Sequence, residues 1–291
     1  MRYLLLIFGI FCCSTSILFI KIGSTDPIAL SAYRLLLGGS LMIPIMMTSI
    51  RKSGGMKVRE ILTMALPPAI FLGIHFISWI IGARMTSAAN ASLIVNMVPV
   101  AMPFLLYFVV SEKISRLEGI GTLVAMLGVL VLGANDFRLS REHALGDAVC
   151  FFSMLFYAFY LVFGRKNKDL PSIYVYIVPV YLISGILCLA TALVVDMAGG
   201  NILWIGPDLK TEIISILGLA IVPTLLGHTL INSAFRKFRG QVVSIFNLSQ
   251  FIFAGIMGYL ILGELPLVLF YLASVLVVCG SIITLTSTEP A

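Results

Sequence analysis

Long apolar runs separated by short polar segments are the main feature of the chain. About 20 apolar residues form a helix long enough to cross the hydrocarbon core of a bilayer. The pattern therefore predicts an all-α integral membrane protein with ten transmembrane helices. The ten runs lie at about 3–20, 27–49, 61–83, 87–110, 119–133, 146–164, 172–195, 213–234, 241–262 and 266–285.

Composition supports a membrane protein. Hydrophobic residues make up 60% of the 291 residues and charged residues 11%, against about 25% charged residues in soluble domains. The first run follows Arg2, as a signal peptide would, but no small-residue cleavage site closes it, so we expect a retained helix. The five cysteines are scattered through apolar runs without metal-binding or disulfide spacing. We therefore expect no metal, no cofactor and no catalytic site.

The basic residues predict the orientation. If the N-terminus is cytoplasmic, thirteen of the nineteen lysines and arginines lie in cytoplasmic segments and five on the opposite side. The positive-inside rule then places both termini in the cytoplasm, and we expect the chain to lie in a cell inner membrane. The net charge of +6 belongs to short loops beside anionic lipid, not to a nucleic-acid surface. The expected partners are the lipid bilayer and a small solute, and monomer and homodimer both remain open.

The second half of the chain repeats the first. FVVSEKISRLEGIGTLVAMLGVLVL (108–132) is similar to LILGELPLVLFYLASVLVVCGSIITL (260–285), and a shift of 152 residues pairs Glu112 with Glu264. Each half holds five helices, an odd number, so the second half enters the membrane from the opposite side. This predicts two inverted repeats, a common plan of secondary transporters. The repeats are predicted at 1–135 and 144–291, with the boundary in the polar loop NDFRLSREH (135–143).

These segments resemble the EamA family of the drug/metabolite transporter superfamily. The resemblance is carried by TSAANASLIVNMVPVAMPFLLYFVVSEK (86–113) with the following GTLVAMLGVLVL, and by LGELP (262–266) with the last helix. The first copy departs from the pattern, because Ser111 precedes Glu112 where the second copy has the more typical Gly263. The resemblance implies a secondary carrier, and more specifically an exporter of amino acids or related metabolites.

Polar side chains deep in the predicted helices mark a candidate solute site. At 1.5 Å per residue, Asn96 lies about 14 Å into the fourth helix, and Gln250 reaches a similar depth in the ninth from the other face. Ser92 shares a helix face with Asn96, and Asn247 shares one with Gln250. Two such stripes predict a central cavity for a polar solute. The alternative is hydrogen bonding between helices.

Four further residues are candidates for the same site. His75, with Trp79 one turn later, and His228 have near-symmetric positions, which suggests matching places on two access paths. Either histidine would suit proton binding or a hydrogen-bonded packing role. Tyr157 would line the same vestibule or pack in the bundle.

Arg34 is an isolated charge in the second helix, about 10 Å deep. Two placements are compatible with that depth: the side chain reaches the membrane interface, or it faces the bundle and attracts a carboxylate. The resemblance to the EamA family implies a structural or gating role for this arginine.

The motifs of other functional classes are missing from the sequence. It holds no Walker loop, no HExxH and no GxSxG with suitable partners, so neither ATP-driven transport nor an enzyme is expected. We interpret the chain as a carrier that works by alternating access. An exchanger or importer of an anionic metabolite or nucleotide-like compound is the alternative, and a membrane-embedded enzyme is a weaker one.

Overall fold

The computed structural model describes residues 2–53, 55–136, 143–203 and 205–286. All regular secondary structure in these residues is helical. Nine helices among them are long and apolar enough to cross a membrane. They are α1 (Tyr3–Ile22), α2 (Pro27–Lys52), α3 (Val58–Met85), α4 (Ala88–Val110), α6 (Ala144–Lys166), α7 (Ile173–Gly200), α8 (Leu209–Lys237), α9 (Gly240–Leu262) and α10 (Val268–Leu285).

A further helix, α5 (Arg116–Asp136), follows α4. It coincides with the fifth predicted span, and its crossing of the membrane stays a prediction. The predicted boundary loop between the two repeats lies largely in residues 137–142, outside the described residues. The all-helical, multi-pass architecture is confirmed. Many large apolar side chains are exposed on its surface, among them Phe104, Phe108 and Leu123, which suits contact with lipid.

Helix α4 breaks in its middle, between Ala88–Val95 and Val98–Val110. The backbone N–H of Asn96 bonds to Leu93 instead of to Ser92. The side-chain Nδ2 of Asn96 donates to the Ser92 carbonyl instead, at 2.8 Å. Pro99, in the first turn of the second segment, has no N–H to continue the first helix. The break leaves the Asn96 amide facing the bundle interior.

Helices α1 and α9 break as well. The first is interrupted at Thr15, between Arg2–Ser14 and Ser16–Ile22. There the hydroxyl of Thr15 donates to the Cys12 carbonyl at 2.7 Å, a bond that bends helices. Helix α9 is interrupted at Ser249, between Gly240–Leu248 and Gln250–Met257. In α8, residues Ala220–His228 form wider π-type turns around Pro223. Such turns are frequent at functional sites.

Small residues allow the helices to approach closely. A Cβ atom on Gly121 of α5 would lie 2.6 Å from the carbonyl oxygen of Gly280 in α10. A Cβ on Gly82 of α3 would lie 3.0 Å from the carbonyl oxygen of Gly146 in α6. Helix packing in lipid relies on such contacts, because the surrounding hydrocarbon supplies no hydrophobic driving force between helices. The close packing fixes the positions of the polar side chains inside the bundle.

Candidate functional site

A small cavity lies inside the bundle, among helices α1, α2, α3, α4, α6, α8 and α9. Its free volume for the centre of a water molecule is about 20 Å³, which is room for one or two waters. All of its lining residues are buried. They are Cys13, Ser16, Arg34, His75, Phe76, Trp79, Val95, Asn96, Tyr157, His228 and Gln250.

Seven of the nine residues singled out in the sequence meet at this cavity: Arg34, His75, Trp79, Asn96, Tyr157, His228 and Gln250. Ser92 and Asn247 are buried next to it but are not among its lining residues. Ser92 contributes through its backbone carbonyl, which accepts from Asn96. Asn247 lies behind the lining residues, where it is hydrogen-bonded to both Asn96 and Gln250.

Three amides link α4 to α9. The Nδ2 of Asn247 donates to Oδ1 of Asn96 at 2.9 Å, and Nε2 of Gln250 donates to Oδ1 of Asn247 at 2.5 Å. Asn247 also approaches the hydroxyl of Tyr157 at 3.4 Å. Asn96 therefore makes an interhelical hydrogen bond and lines the cavity at the same time, Asn247 makes that bond from behind the lining, and Gln250 lines the cavity and bonds within α9.

The two histidines lie on one cavity rather than on separate access paths, which corrects the sequence-based expectation. The His75 ring stacks on Tyr157 with centroids 4.6 Å apart, and the His228 ring packs edge-on against Tyr157 at 5.7 Å. Phe76 contacts both histidine rings. The breaks and wide turns in the helices bring these positions together, and residue counting along ideal helices could not predict them.

The hydrogen bonds of the two imidazoles differ. Nδ1 of His75 lies 3.1 Å from the carbonyl oxygen of Ser153 and 2.9 Å from its hydroxyl oxygen. A carbonyl oxygen only accepts, so Nδ1 of His75 carries a hydrogen and donates to it. Nδ1 of His228 is buried and has no hydrogen-bond partner in the described part of the chain. His228 therefore has a free polar atom, while the ring of His75 is held in place.

Arg34 faces the bundle, and the interface placement considered for it is wrong. The side chain is fully buried. Its Nε donates to the hydroxyl of Thr224 at 3.0 Å, and its guanidinium carbon lies 4.0 Å above the ring of Phe76. The Nη1 and Nη2 atoms have no hydrogen-bond partner among the described residues. The cavity lining also contains no aspartate or glutamate, so this cation has no counterion there.

One end of the α4–α9 pair is held by Glu264, which follows α9. Its Oε1 accepts from Nζ of Lys21 at 2.7 Å, and its Oε2 accepts from the backbone N–H of Ala88, the first residue of α4, at 2.8 Å. Arg84 donates to the carbonyl oxygens of Gly23 and Thr25 beside it. We call this set of contacts the Glu264 closure.

The other end is held by Glu112, which follows α4. Its Oε2 accepts from Nε of Arg165 at 2.7 Å, and its Oε1 accepts from the backbone N–H of Gly240, the first residue of α9, at 2.9 Å. Arg165 also donates to the carbonyl oxygens of Phe235 and Phe238. We call this set of contacts the Glu112 closure.

The two closures are chemically alike and lie at opposite ends of the same two helices. In each, a glutamate that follows one helix caps the positive N-terminus of the other helix and pairs with a basic residue. The sequence predicted the correspondence of Glu112 with Glu264 but not these contacts. The signal was present, since the same shift of 152 residues pairs Ala88 with Gly240.

A third ion pair reinforces the Glu112 end. Arg239 donates to both carboxylate oxygens of Glu118, at 2.5 Å and 2.9 Å. These hydrogen bonds raise the pKa of Arg239 above its ordinary value. Among the described residues, no three histidine, cysteine, aspartate or glutamate side chains gather as a metal site would require.

Comparisons with known proteins identify the family. The sequence profile of the EamA-like transporter family matches residues 1–134 and 144–286. The chain belongs to the EamA-like transporter family. This confirms the resemblance seen in the sequence and agrees with membership of the drug/metabolite transporter superfamily. The member described here is thus a multi-pass membrane transporter.

A solved crystal structure of a protein has the same fold as this EamA-like family member. It aligns with a TM-score of 0.71 and 16% sequence identity, over 97% of this chain and 96% of the other. At that identity the likeness shows the fold alone. No curated protein matches the chain.

Proposed function

We propose that the protein is a secondary carrier that exports small organic solutes, amino acids or related metabolites, across the cell inner membrane by alternating access. The observation that carries the proposal is the buried polar cavity between two matched end closures. A carrier needs a central site that is open to one side at a time. Breaking the Glu264 closure would open one route to the cavity, and breaking the Glu112 closure would open the other.

The proposal includes ten membrane-crossing helices in two inverted repeats, at 1–135 and 144–291. The reciprocal contacts support it, because Glu112 reaches Gly240 and Glu264 reaches Ala88. With both termini in the cytoplasm, as the basic residues favour, the Glu112 closure faces the cytoplasm. The lipid bilayer and a small solute are the proposed partners, without nucleic acid, and the unit is a monomer or a homodimer.

The solute class and the direction of transport rest on the likeness to the family. The cavity supports a polar solute, since it presents the amides of Asn96 and Gln250 and the ring of His228. We propose transport alone, without enzymatic activity. An exchanger or importer of an anionic metabolite or nucleotide-like compound is the second candidate, and the unpaired Arg34 is the observation that favours it.

Flux in proteoliposomes tests the carrier proposal. Vesicles preloaded with a mixture of unlabelled amino acids should take up labelled amino acids by counterflow, and the rate should saturate with concentration. Non-saturating conductance without counterflow would contradict a carrier. Countertransport that strictly requires solute on both sides would favour the exchanger over the exporter.

Two substitutions test the cavity. Asn96→Leu and Gln250→Leu should each lower flux at least tenfold with unchanged expression, because each removes a polar cavity group and the hydrogen bond that holds it. Thr191→Leu is the matched control, since Thr191 is exposed on α7 and its hydroxyl donates to the Leu187 carbonyl of the same helix. Normal flux in both cavity variants would assign the amides to helix packing instead.

A further inference from the structure

Arg34 differs from the other arginines that contact the ends of the helices. Those arginines direct at least one Nη atom to a backbone carbonyl oxygen: Arg84, Arg165, Arg236 and Arg239. Arg34 uses only Nε, towards Thr224. Its Nη1 and Nη2 are buried and have no protein partner among the described residues. Such a pair of unmatched donors in a polar cavity is an incomplete binding site.

The surroundings of Arg34 leave its charge uncompensated. The face of Phe76, 4.0 Å away, offers a cation–π contact, which satisfies none of the N–H groups. The cavity lining contains two histidines but no carboxylate. A buried charge is normally paired, and here nothing on the cavity wall can pair with it. The missing partner is an anion.

We propose that Arg34 anchors the carboxylate group of the transported solute, through Nη1 and Nη2. A planar guanidinium presents parallel N–H groups that match a carboxylate in a bidentate arrangement. This inference rests on the proposed carrier function and narrows its solutes to small organic acids. Amino acids belong to this class because of their carboxylate, and acids without an amine belong to it equally.

The rest of the cavity sets the selectivity. Asn96, Gln250 and His228 offer neutral polar groups, and the latter has an unpartnered Nδ1. No acidic residue lines the cavity, so an ammonium group finds no counterion and meets the positive charge of Arg34. A site of this kind discriminates by repulsion as well as by attraction. The site therefore excludes cationic amines. It recognises an amino acid through the charge of its carboxylate and not through the charge of its amine.

A binding experiment on the purified full-length protein tests this. The chain has two tryptophans, so Trp204→Phe leaves Trp79 on the cavity wall as the only tryptophan. Its fluorescence is titrated with acetate, with acetamide, which is neutral and nearly the same size, and with the smaller cation methylammonium, all at constant ionic strength. We expect acetate to bind at least tenfold more tightly than the other two probes. A tenfold difference corresponds to about 1.4 kcal/mol.

Variants connect the preference to Arg34. Arg34→Gln should weaken acetate binding at least tenfold and leave acetamide binding unchanged, and Arg34→Lys should also lose most of the preference because it lacks the fork of donors. Arg236→Gln is the control, because Arg236 belongs to neither closure and donates to the carbonyl oxygens of Lys168 and Leu170. It should keep the preference for acetate.

Three results would overturn the proposal: acetate that binds no more tightly than acetamide, methylammonium that binds equally well, or a preference that survives in Arg34→Gln. The comparison of the three probes needs no substitution at Arg34, so it decides even where a variant fails to fold. The carrier function is judged separately. Acetate-selective binding without solute flux would contradict the carrier alone, and saturable flux without acetate selectivity would contradict the anchor alone.

Discussion

Removing one carboxylate charge at a time from the two closures is the most direct test of how the cavity opens. The changes are Glu112→Gln and Glu264→Gln. Glutamine keeps the size of the side chain and one carbonyl oxygen, so each variant can still accept the hydrogen bond from the facing helix N-terminus. Each variant loses the ion pair, to Arg165 in the first case and to Lys21 in the second.

The structure predicts unequal effects. The side chains of Glu112 and Arg165 are 14% and 13% exposed, whereas those of Glu264 and Lys21 are 32% and 19% exposed. A hydrogen bond to a charged group contributes about 1.5–3 kcal/mol when shielded, and an exposed ion pair about 0–1 kcal/mol. We expect losses of about 2 kcal/mol at Glu112 and about 1 kcal/mol at Glu264. The population opened at that end would rise about 30-fold and about 5-fold, respectively.

Cys13 provides the assay. It lines the cavity and is 3% exposed, so a thiol reagent reaches it only when one end opens. The other four cysteines are replaced by alanine, and a membrane-impermeant anionic methanethiosulfonate is added to one side of oriented vesicles. Glu112→Gln should speed the labelling of Cys13 from the cytoplasmic side, and Glu264→Gln should speed it from the opposite side by a smaller factor.

Glu60→Gln is the control for this assay. Glu60 lies in the first turn of α3, where its carboxylate accepts from the backbone N–H of Lys57, away from both closures. It should leave the labelling of Cys13 unchanged. Acceleration from the same side by both closure variants, or from neither side, would refute the reasoning. If Glu112→Gln sped the labelling of Cys13 from the side opposite the cytoplasm and Glu264→Gln sped it from the cytoplasm, only the predicted orientation would be refuted.

Three other predictions follow. Lys210 is exposed just inside the start of α8, and a cysteine placed there should be labelled only from outside the cell; labelling only from inside would reverse the topology. His75 and His228 share their cavity with a cation and no acid, so an imposed pH gradient should not drive concentrative uptake. Any such uptake would contradict this prediction; its loss in the His75→Ala, His228→Ala double variant would make the histidines the proton carriers, and its persistence there would exclude them from that role. Gly121→Ala should lower the thermal stability in detergent by about 1–3 kcal/mol through overpacking. Gly119→Ala should not, since a Cβ there would meet Ile114 at 3.9 Å as its nearest contact among the described residues outside its own helix backbone; equal midpoints would contradict the close contact of α5 with α10.

The membrane helices and much of the candidate site were predictable because both depend on the large difference in free energy between apolar and polar side chains in lipid. A polar side chain inside an apolar run is costly in lipid, so Asn96, Asn247 and Gln250 stood out by type and depth. These side chains meet because α4 and α9 are corresponding helices of the two repeats, and their polar residues lie at similar depths in the membrane. The structure joins these three amides by hydrogen bonds, as the sequence allowed.

Contacts that depend on departures from ideal helices were not predictable. Counting 1.5 Å per residue separated His75 and His228, but α8 is widened at Ala220–His228 and both rings reach one cavity. The cap of Glu112 on Gly240 likewise needs two segments distant in sequence to meet within hydrogen-bonding distance. Sequence similarity between the halves predicts that such contacts come in pairs, but not which atoms make them.

Arg34 shows where depth alone stops being informative. A position about 10 Å into a helix allows a long side chain to reach either the interface or the interior, and the residues of its own helix do not decide between them. The choice is made by α8 and α3, which place the hydroxyl of Thr224 and the ring of Phe76 beside the guanidinium. These neighbours hold the charge inside yet leave two Nη atoms unbonded. Because a purely structural arginine would spend those donors on backbone carbonyls, as Arg84 does, the unfilled pair of donors argues for a partner that arrives and leaves.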